Sequence, residues 1–255
     1  MPWTWMRKIY FSRIIKIVLQ TFFFLLCLAA YALELKTKPF QVCTNKTCSK
    51  RGSRKTISTF SILKQKVERC SCVSKCGEGP NVLGPSGRIY NGVEFDDITL
   101  ISAIIEIETG DAIPSTVMTA VSLVSDANKT KDSVSKHEKL TKAIQLLLEF
   151  NEKHEETACF QEALSMAFAA RSEAALDTFR LMRNDKDLSM AKEDALQAIA
   201  NCNTISKAYW NLAEVYEIES RFDAAIDVLQ KMELALPEFS DTIRKQVDQL
   251  KNRKG

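Results

Sequence analysis

The placement of the cysteines constrains the fold more than any other feature, because five of the eight fall within 34 residues. Cys43 and Cys48 are separated by four residues, Cys72 and Cys76 by three, and 23 residues lie between the two pairs. Each pair follows a predicted strand, so two loops can emerge at one end of a sheet and bring four thiolates to one point. Such a set of soft ligands is typical of an iron–sulfur cluster or of zinc, and spacing alone does not separate them.

Residues 39–109 have the pattern of a mixed α/β unit. We expect strands at 40–42 and 66–70, a helix at 53–65, and a hairpin formed by 81–83 and 88–90. Gly84-Pro85-Ser86-Gly87 is a strong turn signal between the two hairpin strands. Asp96 and Asp97 favour the start of a further helix through the backbone dipole, and Gly110 predicts its end.

Composition and charge exclude several classes of protein. Hydrophobic residues make up 45% of the chain and charged residues 26%, which excludes a disordered chain and a multi-span membrane protein. The net charge of +3 is too small to indicate a nucleic-acid partner, and we expect none. Residues 34–76, however, carry eleven basic and two acidic side chains. This local excess of positive charge predicts a distinct module whose charge has a function of its own.

The residues around the cysteines carry a family resemblance. The run Val42-Cys43-Thr44 and, after it, Cys48-Ser49-Lys50-Arg51-Gly52-Ser53 resemble the first half of the thioredoxin-like [2Fe-2S] ferredoxins. The second half is similar to Cys72-Val73-Ser74-Lys75-Cys76-Gly77-Glu78-Gly79-Pro80-Asn81-Val82, and the family's next hairpin is similar to Gly87-Arg88-Ile89-Tyr90-Asn91-Gly92-Val93. The same module resembles the cluster-bearing small subunit on the flavin side of NADH:quinone oxidoreductase. The resemblance covers residues 41–107.

This resemblance implies an α+β, thioredoxin-like ferredoxin domain at residues 39–109. It implies that Cys43, Cys48, Cys72 and Cys76 ligate a [2Fe-2S] cluster that carries one electron. Basic side chains beside these ligands would offset the negative charge of the cluster and offer a face to a redox protein; they are Lys46, Lys50, Arg51, Arg69 and Lys75. Gly77 and Gly79 would let the backbone approach the cluster closely. The extra thiol, Cys70, is open to three interpretations: a spare thiol, a replacement ligand or a redox partner.

Other interpretations of the cysteines stay open. A structural zinc site in an interaction or assembly scaffold uses the same four ligands. A secreted disulfide domain is disfavoured by the odd number of clustered cysteines. Asn45-Lys46-Thr47 is a glycosylation sequon, and a glycan there would obstruct a cluster. We find no phosphate loop or dinucleotide-binding glycine motif in the sequence, and His137 and His154 are interpreted as solvent-facing, so we expect an electron carrier rather than an enzyme with its own substrate site.

The C-terminal half is predicted to be all-α and to resemble tetratricopeptide repeats. Residues 110–135 are expected to be a linker with a short helix near 116–123, and residues 136–253 to form the helical domain. One repeat is clear: a first helix at 206–220 presents Tyr209, Leu212 and Tyr216, and a second at 222–236 presents Ala225. Residues 142–150 and 190–200 resemble second helices of degenerate copies, which gives two to three units that would dock a protein partner. A plain helical bundle is the alternative.

Residues 1–33 are predicted to be a signal peptide or a signal anchor. Four basic residues precede an apolar run at 17–33, and Ala30-Tyr31-Ala32 fits a cleavage site. If uncleaved, residues 14–33 are long enough to associate the chain with a membrane. The leader and a cluster that requires a reducing compartment together favour a plastid reached through the secretory route. The alternative is a membrane-anchored protein or one of the secretory compartment.

Overall fold

The computed structural model describes residues 38–73, 78–154 and 160–254. About 71% of these residues are helical, and a small four-stranded sheet lies near the N-terminal end, ahead of a helical region. The coarse expectation of an α+β part followed by an all-α part is therefore confirmed. The predicted leader at 1–33 and three residues of the predicted cysteine site, Lys75, Cys76 and Gly77, lie outside the described residues.

The α+β part alternates strands and helices along the chain. Its elements are β1 (Phe40–Cys43), α1 (Lys46–Lys50), α2 (Ser53–Ile62), β2 (Val67–Cys70), β3 (Val82–Leu83), β4 (Ile89–Tyr90) and α3 (Ile98–Thr109). The strand order in the sheet is β2-β1-β3-β4. β1 runs parallel to β2 and antiparallel to β3, and β3 pairs antiparallel with β4.

Local chemistry explains these elements. Phe40 and Val42 alternate along β1 on the buried face, and the Phe40 ring packs 4.9 Å from that of Phe60 on α2. The Asp97 carboxylate accepts a hydrogen bond from the backbone N–H of Leu100 and so caps α3. Gly110 ends α3 with φ of +76°, a conformation that favours glycine. The strands and helices predicted for this part are therefore present, with shifts of a few residues at their ends.

The helical part begins within the segment expected to be a linker. Its helices are α4 (Ser115–Lys129), α5 (Ser133–Lys153), α6 (Gln161–Met182), α7 (Asp185–Asn201), α8 (Ser206–Ile218), α9 (Phe222–Ala235) and α10 (Ser240–Lys254), with a 3-10 turn at Pro237–Phe239. α4 extends well beyond the short helix expected at 116–123. It buries Val117, Ala120, Val121 and Val124, so this helix, within the segment expected to be a linker, contributes to the hydrophobic core.

The helices pack in sequential order. Each helix from α4 to α9 contacts the next one along the chain, and in addition α4 contacts α6 and α6 contacts α8. α7 approaches α6 closely because its inward positions, Ala191, Ala195 and Ala198, are fully buried small residues. One hydrophobic core runs without a break from Phe40 in the sheet to Ala208 on α8. The sheet and the first helices therefore stabilise each other.

Polar side chains also join the helices. Arg171 on α6 makes two hydrogen bonds of 2.8 Å to the carboxylate of Asp194 on α7, whose side chain is only 4% exposed. Ser165 and Ser172 on α6 donate to the backbone oxygens of Ala198 and Ala191 on α7, respectively. Among the helices that the structure describes, none combines the length and the apolar character needed to cross a membrane.

Candidate metal centre

The candidate site lies at the edge of the sheet where β1 and β2 end. Cys43 is the last residue of β1 and Cys70 the last residue of β2, and the two are register partners. Because the strands are parallel, both chains leave the sheet at the same edge. Register partners on adjacent parallel strands have their side chains on the same face, with backbones about 4.8 Å apart. The structure therefore brings the chain that follows Cys43 and the chain that follows Cys70 to the same edge of the sheet.

Cys43 and Cys48 form a buried pair of thiols. Both residues are 0% exposed, and α1 turns the chain so that the Cys48 thiol lies near that of Cys43. Burial raises the pKa of Cys48, and Cys43 raises it further, whereas a hydrogen bond from the backbone N–H of Asn81 lowers it. Two sulfurs bound to one tetrahedral metal ion lie about 3.8 Å apart when each metal–sulfur bond is about 2.3 Å.

The segment that follows the second cysteine pair packs directly on this thiol pair. A Cβ added to Gly79 would lie 2.4 Å from the Cys48 Sγ, so only glycine allows the backbone to come this close. The backbone oxygen of Asn81 accepts a hydrogen bond of 3.0 Å from the Cys43 N–H. Arg51 donates a long hydrogen bond of 3.5 Å to the Gly79 oxygen. These contacts hold residues 79–81 over the two sulfurs.

Cys70 lies close enough to Cys43 and Cys72 for the charges of these thiols to affect its pKa. Cys70 is half-buried and Cys72 is exposed. Burial raises the pKa of Cys70, and the nearby thiols of Cys43 and Cys72 raise it further. Of the four cysteines predicted to be ligands, the structure thus groups Cys43 and Cys48 tightly and places Cys72 close by. The fourth, Cys76, lies outside the described residues.

The donors that are described fit a thiolate-bound metal in their chemistry but do not identify the metal. In the part of the chain that the structure describes, no group of three or more His, Cys, Asp or Glu side chains is arranged to hold a metal ion. What fits is half of a site: two buried sulfurs under a glycine backbone, with Cys72 at the same edge. Sulfur ligands of this kind suit both iron–sulfur clusters and zinc.

The predicted basic surroundings are present where they are described. Lys46, Lys50, Arg51 and Arg69 are all exposed near the strand ends that carry the cysteines. The two histidines belong to the helical part: His137 is half-buried on α5, and His154 directly follows that helix and is exposed.

Sequence reasoning missed two features of the site. It did not pair Cys43 with Cys70, although Cys43 directly follows the predicted strand at 40–42 and Cys70 ends the predicted strand at 66–70, and these similar positions were the available signal. It also gave Asn81 no role, whereas the backbone of Asn81 bonds to Cys43 through its oxygen and to Cys48 through its N–H. The second feature has no side-chain signature, because any residue provides the same backbone groups.

In comparisons with known proteins, no protein-family model matches the sequence and no curated protein matches it. The resemblance to thioredoxin-like ferredoxins therefore depends on the motif residues themselves.

Proposed function

We propose that this protein is a one-electron carrier in which Cys43, Cys48, Cys72 and Cys76 hold a [2Fe-2S] cluster. The observation that carries the proposal is the pair of fully buried thiols, Cys43 and Cys48, located at the edge where the second cysteine segment leaves β2. When bound, such a cluster supplies a centre that accepts and releases one electron. The helical part is proposed to dock a protein partner.

The topology of the α+β part supports a thioredoxin-like fold. A β-α-β unit with parallel strands is followed by a hairpin and a helix, and the hairpin joins the sheet beside β1 in antiparallel orientation. This is the arrangement expected for a thioredoxin-like unit. It places the carboxyl ends of β1 and β2 together, which is the position that the proposed ligands require.

Burial and the Cys43 thiol raise the pKa of Cys48, and two kinds of group at this edge would partly offset that cost of a negatively charged sulfur. The N–H of Asn81 donates to the Cys48 sulfur, which stabilises the thiolate form. The exposed cations Lys46, Lys50 and Arg51 lie on the first cysteine loop, where they lower the free-energy cost of adding an electron. They also form a basic surface that would attract an acidic face of a redox protein.

The helical part supports a repeat-like docking domain. Within the described ranges, α4 with α5, α6 with α7 and α8 with α9 form successive pairs, and first helices of neighbouring pairs contact each other. In the last pair, Tyr209, Leu212 and Ala225 are buried, as a tetratricopeptide-like repeat requires. α10 follows with a largely polar sequence, which is typical of the helix that closes such an array.

A structural zinc site in an interaction scaffold is the second candidate. The observation that favours it is the unbroken hydrophobic core between the sheet and helices α4 to α8. A metal at the sheet edge would then stabilise a small domain that serves as one end of a helical scaffold. The two candidates share their ligands and differ in the metal.

Metal analysis of the purified full-length protein separates the candidates. We expect about two irons and two acid-labile sulfides per chain, with a brown colour, as for a [2Fe-2S] centre. Cys43→Ser and Cys48→Ser should each abolish the colour. Cys202→Ser removes a cysteine that lies between α7 and α8 and should leave the colour unchanged. A colourless protein that contains zinc and no sulfide would instead support the scaffold.

A further inference from the structure

A cavity of about 470 Å³ lies where the α+β part meets the helical part. Its walls come from α2 and the start of α3 on one side and from α4, α5, α6 and α8 on the other. Small-molecule sites in proteins are clefts of about 300–1,000 Å³ with mostly apolar walls and a few polar groups. The described residues that line this cavity include no cysteine, so it is separate from the candidate metal centre.

The lining of the cavity changes from apolar to cationic along two helices. On α2 the lining residues run from Ile62 to Lys55, two turns earlier in the chain, and on α4 they run from Val121 to Lys129, about two turns later. The Lys129 ammonium binds the Asp96 carboxylate at 2.5 Å. This hydrogen bond and the positive charges of Lys129 and Lys55 lower the pKa of Asp96. Both lysines therefore lie close to Asp96, at the same end of the cavity.

The opposite end of the cavity belongs to the hydrophobic core. Ile62, Val121 and Ala163 line it and are 5%, 8% and 2% exposed. The Ser61 hydroxyl donates to the Glu162 carboxylate, which holds the start of α6 beside the end of α2 and so brings Ala163 near Ile62. Moving an aliphatic chain from water to such surroundings is favourable.

The cationic end offers donors to a negatively charged group. The Lys55 ammonium lies 4.5 Å from the centroid of the Phe95 ring, and both residues line the cavity. Ser125 lies one turn before Lys129 on the same face of α4. Its hydroxyl is buried and has no hydrogen-bond partner in the part of the chain that the structure describes. A buried hydroxyl without a partner carries a free-energy cost, which an acceptor oxygen of a ligand would remove.

We propose that this cavity binds a small amphiphile with an anionic head, a carboxylate or a phosphate, and an aliphatic tail. The head accepts hydrogen bonds from Lys55, Lys129 and Ser125, and the tail lies along the apolar end.

The carboxylates nearest to Lys129 lie outside the cavity lining, so they do not occupy the position of the head. A hydrogen bond to Asp96 and the negative charges of Asp96, Asp126 and Glu94 raise the pKa of Lys129 and thereby keep it charged. The proposed site shares no ligand with the metal centre, and the inference does not depend on the function proposed for the cysteines.

Isothermal titration calorimetry of the full-length protein at neutral pH tests the proposal with probes that vary the head and the tail separately. Decanoate and decyl phosphate should each bind saturably, with one molecule per chain. Acetate and inorganic phosphate have the head without the tail and should show no saturable binding. Decyltrimethylammonium has the same tail with a cationic head and should bind at least about tenfold more weakly than decanoate.

Three variants locate the head. Lys55→Gln and Lys129→Gln should each weaken decanoate binding about tenfold, because each removes a charge-assisted hydrogen bond. Lys231→Gln is the matched control, since it removes the same charge from an exposed position on α9 outside the lining and should leave the affinity unchanged. Ser125→Ala should weaken binding about 2–10-fold without lowering the Tm of the free protein, because no hydrogen bond within the protein is lost.

Three results would overturn the proposal. The first is the absence of saturable binding for both anionic amphiphiles. The second is equal affinity for decanoate and decyltrimethylammonium, which would show adsorption by the tail alone. The third is decanoate binding that neither Lys55→Gln nor Lys129→Gln weakens. Iron and sulfide content does not enter these measurements, so the function proposed for the cysteines is judged separately.

Discussion

Replacing Gly79 with alanine tests the geometry of the thiol pair directly. The added Cβ would lie 2.4 Å from the Cys48 Sγ and 3.4 Å from the Cys48 Cβ. The first distance is more than 1 Å shorter than an ordinary contact of about 3.5–4.0 Å, so either the Cys48 side chain or the backbone at residue 79 must move. Overpacking of this kind costs about 1–3 kcal/mol, which corresponds to a fall of about 2–12 °C in Tm for a chain of this size.

The expected result is a protein with a lower Tm that also binds less metal, because the displaced sulfur is a proposed ligand. Thermal unfolding followed by circular dichroism measures the first effect, and iron or zinc content measures the second. Gly110→Ala is the matched control. Its φ of +76° makes alanine strained by about 1–2 kcal/mol, but no heavy atom lies within 4 Å of the added Cβ. It should lower Tm without changing the metal content.

Two outcomes would refute this reasoning. A Gly79→Ala protein with wild-type Tm and metal content would show that the backbone at residue 79 does not pack closely against the Cys48 sulfur. A protein that loses stability but keeps all its metal would show that the sulfur under Gly79 takes no part in binding.

Two further predictions concern the packing of the rest of the chain. Arg171→Ala should destabilise the protein by about 3–5 kcal/mol, because it leaves the buried carboxylate of Asp194 unpaired. Asp194→Ala should lower the free energy of unfolding by less, since the unpaired Arg171 side chain can reach water. Equal losses of free energy for the two variants in urea unfolding would contradict this account. Burial alone would raise the pKa of Glu108, but hydrogen bonds from Tyr90 and Ser86 outweigh it and leave the pKa below its usual range. The stability contributed by these bonds is therefore present above about pH 4.3, the usual value for glutamate, and is lost as the pH falls through the lower pKa of the folded state. Tyr90→Phe should cost about 1.5–3 kcal/mol at pH 7. When unfolding is measured over a series of pH values, the difference in free energy of unfolding between the wild type and Tyr90→Phe should shrink in acid. A difference that is constant with pH would contradict the prediction.

Much of the α+β part follows from local sequence signals. Alternating apolar residues predict β1, a four-residue turn motif predicts the hairpin of β3 and β4, and Asp97 and Gly110 mark the two ends of α3. Each of these signals acts over a few neighbouring residues, which is why a single sequence is enough to read them. The positions of Cys43 and Cys72 at one edge of the sheet follow in part for the same reason, because Cys43 ends β1 and Cys72 comes shortly after β2.

The remaining features depend on contacts between distant residues or on elements too short to show a period. α1 has five residues, so the first cysteine loop gives no helical pattern that a sequence can reveal. The partnership of Cys43 and Cys70 depends on the register of two strands, which neither strand specifies alone. The pairing of Arg171 with Asp194 depends on the packing of α6 against α7, and it therefore became visible only in the folded chain.

A reductive titration of the purified protein tests the central claim most directly. Dithionite is added anaerobically while visible absorption and electron paramagnetic resonance are recorded. The proposed function predicts that each chain takes up one electron, that the visible bands bleach reversibly, and that the reduced protein gives a spin-one-half signal. A protein that takes up no electrons and is colourless before and after dithionite would contradict the claim that the clustered cysteines form an electron-carrying centre.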